Sequence, residues 1–194
     1  MNSMEPPSFD VRIKVHDLYL IILWDTSYFE PRPDDKRICG RRVAESLFSV
    51  EAFASNSKPA HRLARALAEG IRPQLGESIK TVEDALKVSL GEVTAELDDP
   101  LIKEIDVSIP EQQEYTFTIE KGKGAPLVNS FIRLFVLVDH ITSSLKELHY
   151  RGAISKKEYK KREDAYTKPL RKLMNDLNII IKQYHKQRKE LTPL

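Results

Sequence analysis

"VRIKVHDLYLIILW", residues 11–24, opens with strict alternation: Arg12, Lys14 and His16 take one set of positions, Val11, Ile13 and Val15 the other. Period-two alternation marks a strand with one buried face, and the opposite face here is wholly basic or ionisable. The run that follows, Leu18 to Trp24, has the β-branched and aromatic content of a strand entering the core. One strand over 11–24 is the expectation. The apolar run is far shorter than the roughly 20 residues a membrane span needs, so no membrane partner is expected.

A second alternating segment lies at 113–120. Tyr115, Phe117 and Ile119 share one side, and Thr116, Thr118 and Glu120 share the other. Paired with the first segment it forms a small antiparallel β-ribbon. Residues 25–40, with two prolines and a polar run, read as a long surface loop, and 97–113 break the pattern; most of the rest reads as helix. Val43, Ala44, Leu47, Phe48, Val50 and Phe53 recur at helical spacing over 41–55. Pro59 opens a helix that carries Ala60, Leu63, Ala64, Leu67 and Ile71 to residue 72, since proline is tolerated in a first turn. Thr81 and Asp84 open another over 81–97, burying Val82, Ala85, Leu86, Val93 and Leu97.

The segment 127–150 leaves little polar surface: Phe131, Ile132, Leu134, Phe135, Val138, Ile141, Leu145 and Leu148 place it at the centre of the core. Gly152 ends it, and "SKKE", Ser155 to Glu158, matches the capping box that starts a last helix. Pro169 is expected to kink that helix or to begin a fresh first turn. The fold class is therefore α+β, mostly α-helical, with a small antiparallel β-ribbon packed on about five helices. The expected organisation is a disordered N-terminus at 1–10, a single domain at 11–190, to which the basic features below give a DNA-binding role, and a flexible C-terminus at 191–194.

The formal net charge of +2 conceals an asymmetry. Residues 1–110 carry 14 Lys and Arg against 19 Asp and Glu, whereas residues 111–194 carry 17 against 10. A basic C-terminal half on a nearly neutral chain fits a surface that meets a polyanion, and it also fits a solvated helical face. Cys39 is the single cysteine, so no intramolecular disulfide forms and a reduced, cytoplasmic setting is the simpler expectation. "MNSMEPPSFD" lacks the basic start and apolar run of an export signal.

HExxH, GxSxG and CxxC do not occur, and "GKG" at Gly122 to Gly124 lacks the spacer and hydroxyl of a phosphate-binding loop. His16, His61, His140, His149 and His185 have no i, i+4 pairing suited to a shared metal. Asp139 and His140 are adjacent but point about 100° apart on a helix, so a polar turn in a core helix is the plainer reading. "ELDDP", Glu96 to Pro100, reads as a solvated turn. Neither catalysis, metal, cofactor nor small-molecule substrate is expected. Cys39, close to Lys36, Arg37, Arg41 and Arg42, reads as a small buried side chain ahead of a helix.

Three basic features suit double-stranded DNA. Arg12, Lys14 and His16 front a ribbon of the width that enters a major groove, with Thr116 and Thr118 alongside and Lys121 and Lys123 in the following turn. The capped start of the last helix offers backbone N–H groups beside Ser155, Lys156, Lys157, Lys160 and Lys161, a phosphate clamp. The tail adds Lys182, Lys186, Arg188 and Lys189 as salt-sensitive, nonspecific attraction. Each also has a plain structural reading: a charged edge strand that resists aggregation, and a solvated helix with Glu158, Glu163 and Asp164 interleaved.

The order strand "YTFTIE", long helix, "RGAIS" turn, second helix resembles that of ribbon-helix-helix DNA-binding proteins. Over roughly residues 11–170, the strand ending in Leu23 and Trp24, the "VEDAL" helix and "FIRLFVLVDHITSSLKELHYRGAISKKEY" together resemble the AcaB-like family, encoded on conjugative plasmids and integrative conjugative elements. That resemblance implies a DNA-binding transcriptional regulator, an activator of conjugative-transfer genes, with a ribbon-helix-helix-like core. A homodimer is expected, because palindromic sites are read by two-fold proteins. A non-catalytic protein-interaction scaffold of the conjugation or mobile-element machinery is the alternative.

Overall fold

A computed structural model describes residues 10–33, 35–119 and 125–191. In chain order it contains β1 (Val11–Val15), α1 (Leu18–Trp24), α2 (Gly40–Ala54), a 3-10 turn (Pro59–His61), α3 (Arg62–Leu97), α4 (Pro100–Lys103), β2 (Tyr115–Ile119), α5 (Pro126–Tyr150) and α6 (Lys156–Leu191). It is mostly helical with a two-stranded antiparallel sheet, as expected. The two strands pair within the chain, Val11 opposite Ile119 and Val15 opposite Tyr115. The termini expected to be disordered or flexible lie largely outside the described residues, which exclude 1–9 and 192–194.

The opening segment departs from the single strand expected. It is a strand only to Val15, and "LYLIILW" is a helix. The cause is Asp17, whose carboxylate accepts the Tyr19 N–H at 2.8 Å and caps the first turn. Leu20, Ile21 and Trp24 then share one buried side, while Leu18 and Ile22 face outward. Burial on a helical stripe has overridden β-propensity.

A second correction concerns the middle of the chain. The helices expected at 59–72 and 81–97 are one helix, α3, uninterrupted through Pro73. Its buried stripe runs Ala64, Ala68, Leu75, Ile79, Leu86 and Val93, along α5 and α6. Pro73 and Gly70 lie on the exposed side, where the backbone groups that proline frees are open to solvent. That stripe leaves Leu63 and Ala85, both expected in the core, at the surface. Pro169 likewise sits inside an unbroken α6.

Helix α5 is the centre of the core. Phe131, Leu134, Phe135, Val138, Ile141, Leu145 and Leu148 are fully enclosed by α2, α3 and α6. The sheet and α1 are fastened to it by aromatic contacts. Trp24 stacks on Phe117 of β2 at 4.2 Å and meets Phe135 of α5 edge-on at 5.4 Å. Gly40 permits this, because a Cβ there would lie 2.7 Å from both the Trp24 and Phe135 rings. Cys39, next to it, is buried. Gly152 ends α5 at φ +74°, a conformation that glycine adopts without steric cost.

Candidate nucleic-acid interface

The register of the sheet decides what its outer face presents. Arg12 lies opposite Thr118 and Lys14 opposite Thr116, and all four are exposed. Val15, Phe117 and Ile119 point inward and are buried. Lys14 forms an ion pair with Glu114 at 3.0 Å, and this hydrogen bond and charge hold the Glu114 carboxyl below its ordinary range. The Tyr28 hydroxyl donates to the Thr116 carbonyl at 3.2 Å, closing part of the β2 edge.

His16 does not stand on that face. It follows the last paired residue, and its ring turns to α5, with Nδ1 3.0 Å from Asp139 Oδ2 and Nε2 3.6 Å from Glu114 Oε1. Asp139 is buried, and its Oδ1 accepts the backbone N–H groups of His16 at 2.7 Å and Asp17 at 2.9 Å. The acid that neighbours His140 in sequence thus works on the link between β1 and α1, while His140 itself is exposed. Burial pushes the Asp17 carboxyl up; the Tyr19 N–H opposes that, and Glu163 and Asp139 add to it.

The start of α6 is capped as the "SKKE" pattern implies. Ser155 Oγ accepts the Glu158 N–H at 3.1 Å, leaving Lys156, Lys157, Lys160 and Lys161 exposed around the first turns. Lys160 is tied to Glu163 at 3.0 Å and lies 5.1 Å over the Tyr159 ring. The turn is braced from two sides. Tyr159 stacks on His149 of α5 at 5.8 Å, and Arg162 makes a two-pronged contact with Glu96 of α3, one arm at 2.9 Å.

Ribbon and α6 meet across an open groove of about 650 Å³. His16, Tyr19 and Tyr115 form one wall, and Lys146, Tyr159 and Lys160 the other. Of the residues singled out from sequence, the structure gathers Arg12, Lys14, Thr116 and Thr118 on one face. His16 and Lys160 share the adjoining groove; Ser155, Lys156, Lys157 and Lys161 surround the start of α6 beside it. Lys121 and Lys123 lie outside the described residues. Lys146, Tyr115 and Tyr159 were missed as groove residues. Lys146 is two helical turns beyond Asp139, on the side of α5 that receives His16, and that spacing was the available signal.

Among the described residues no cluster of three or more His, Cys, Asp or Glu side chains is arranged to hold a metal, and no helix is long and apolar enough to cross a membrane. What the site offers is exposed cations and hydroxyls, with half-buried aromatic side chains in the groove beside them.

A small antiparallel sheet on a predominantly helical core defines an α+β fold. That fold is similar to the crystal structure of AcaB from uropathogenic E. coli, with a TM-score of 0.68 and 18% identity over 96% of this chain and 85% of that one. No protein-family model matches the chain, and no curated protein matches it in sequence.

Proposed function

We propose that this chain is a non-catalytic, DNA-binding transcriptional regulator, an activator of conjugative-transfer genes that works as a homodimer. The observation that carries the reading is the outer face of the sheet. It sets Arg12 and Lys14 beside Thr118 and Thr116, with the capped, lysine-rich start of α6 across the adjoining groove. In this reading the sheet enters the major groove of a duplex, where Arg12 contacts base edges. Lys156, Lys157, Lys160 and Lys161 hold phosphates with the free N–H groups of the first turn. His16 acts through position, docking the end of β1 on Asp139. The AcaB-like fold and the strand, helix, turn, helix order of β2, α5 and α6 support a ribbon-helix-helix-like mode, and the AcaB-like resemblance supports the link to conjugation.

A gel shift with the DNA upstream of the chain's own operon tests the reading. A discrete complex that survives excess random DNA is expected. Arg12→Ala should narrow the preference over random DNA by roughly 1 to 3 kcal/mol if the contact is bidentate. Equal weakening on both DNAs would remove the sheet as a reader.

The alternative, an interaction scaffold of the transfer machinery, draws on the exposed side of α1, where Leu18 and Ile22 are 49% and 40% accessible. In that case Leu18→Ser and Ile22→Ser abolish partner capture, and the gel shift shows no complex.

A further inference from the structure

A second basic groove, of about 430 Å³, runs between α2 and the C-terminal half of α6. Lys36, Arg42, Lys182 and His185 line it, with Ser49 and Asn178 supplying neutral donors. Arg42 is fixed there by hydrogen bonds to the carbonyls of Arg37, at 3.4 Å, and Asp35. Two of the described acids nearby are already engaged. Glu45, which also lines the groove, is 3.2 Å from Arg41, and Asp35 is 2.7 Å from Arg37. Burial, followed by the charges of Arg188 and Lys189, holds the His185 imidazole below its ordinary range, consistent with an excess of positive charge at this end of α6.

The position of the groove on α6 is informative. Lys160, in the groove beside the sheet, and Asn178 are separated by 18 residues of one unbroken helix. At 3.6 residues per turn that is about five full turns, so the two side chains leave α6 in the same direction about 27 Å apart. Lys182 lies about 33 Å from Lys160 and within about 40° of the same direction. One turn of B-form DNA is about 34 Å.

We propose that the groove between α2 and α6 is a second phosphate-binding site for duplex DNA, gripping the backbone about one helical turn from the lysine-rich start of α6. The proposal rests on the DNA-binding reading above. A duplex lying along α6 from its lysine-rich start brings a phosphate run back to the protein where Lys36, Arg42 and Lys182 converge, with Ser49 and Asn178 as hydrogen-bond donors.

The test uses the full chain and hairpin-capped duplexes of random sequence, one of about 24 base pairs and one of about 6, the latter too short to span the two grooves. Lys36→Ala/Lys182→Ala is a suitable variant, since both side chains are exposed and neither is in an ion pair among the described residues. Its affinity for the long duplex should fall about tenfold or more at 0.1 M salt, with a log–log salt slope shallower by about two. Affinity for the short hairpin should stay within about twofold. An unchanged long-duplex slope, or an equal loss on both DNAs, overturns the second site. If Lys156→Ala/Lys157→Ala still flattens the slope in that case, the DNA-binding reading stands alone. Failure of the native chain to bind either DNA overturns both.

Discussion

Asp139 holds His16 at two points: its Oδ1 accepts the His16 N–H at 2.7 Å and its Oδ2 lies 3.0 Å from the ring Nδ1. The same Oδ1 takes the Asp17 N–H, so one buried carboxylate serves the two backbone donors where strand becomes helix. Asp139→Ala removes the acceptor of both donors and should lower the free energy of unfolding in urea by about 2 to 4 kcal/mol. His140→Ala, one residue on and exposed, should change it by less than about 0.5 kcal/mol. Equal effects would show that Asp139 has no such role.

Gly40 is the second place where one residue secures the link between sheet and helices. A methyl group at this position meets the Trp24 and Phe135 rings at 2.7 Å, and neither ring can retreat without disturbing Phe117. Gly40→Ala should cost about 1 to 3 kcal/mol and lower Tm. Gly91→Ala is the control: nothing lies within 4 Å of its built Cβ, so removing a helix-interior glycine should raise stability by about 0.5 to 1 kcal/mol.

The bridge from α3 to α6 gives a dependence on acidity whose sign follows from Glu96. The Arg162 hydrogen bonds, and then its charge, hold the Glu96 carboxyl below its ordinary range, and partial burial opposes them. A depressed folded pKa means that the pair stabilises the protein above the ordinary glutamate pKa, near 4.3, and that this contribution is lost as pH falls through the folded value. Glu96→Gln should therefore lower stability near pH 7, by less than about 1 kcal/mol for so exposed a pair. The difference from the native chain should vanish in acid, as read from Tm against pH. A gap that persists in acid would assign the effect to packing.

Sequence patterns located most elements, and the reasons for the exceptions are physical. Alternation identified both paired segments, and the density of apolar residues over 127–150 identified the central helix. Composition alone predicts strand for "LYLIILW", since it cannot reveal that Asp17 caps the segment or that Trp24 finds Phe117 and Phe135. The sequence pattern ends one helix at residue 72 and expects Pro169 to kink the last helix or begin a fresh turn, because a local rule cannot see that long-range packing on α5 outweighs one lost hydrogen bond. At the candidate interface the exposed quartet Arg12, Lys14, Thr116 and Thr118 was legible from period two alone. The groove residues Lys146 and Tyr159, and the Lys36–Arg42–Lys182 convergence, were not, because they depend on how distant helices are placed side by side.

The most direct measurement of the central claim is the salt dependence of duplex binding by the full chain, followed by fluorescence anisotropy for the native protein and for Arg12→Ala/Lys157→Ala. The account predicts native binding that weakens linearly in log K against log salt, and a slope shallower by about one to two in the variant, as expected when cations leave a phosphate-contacting surface. Native binding with no salt dependence, or a variant whose slope matches the native one, would contradict the placement of the sheet and the start of α6 against DNA.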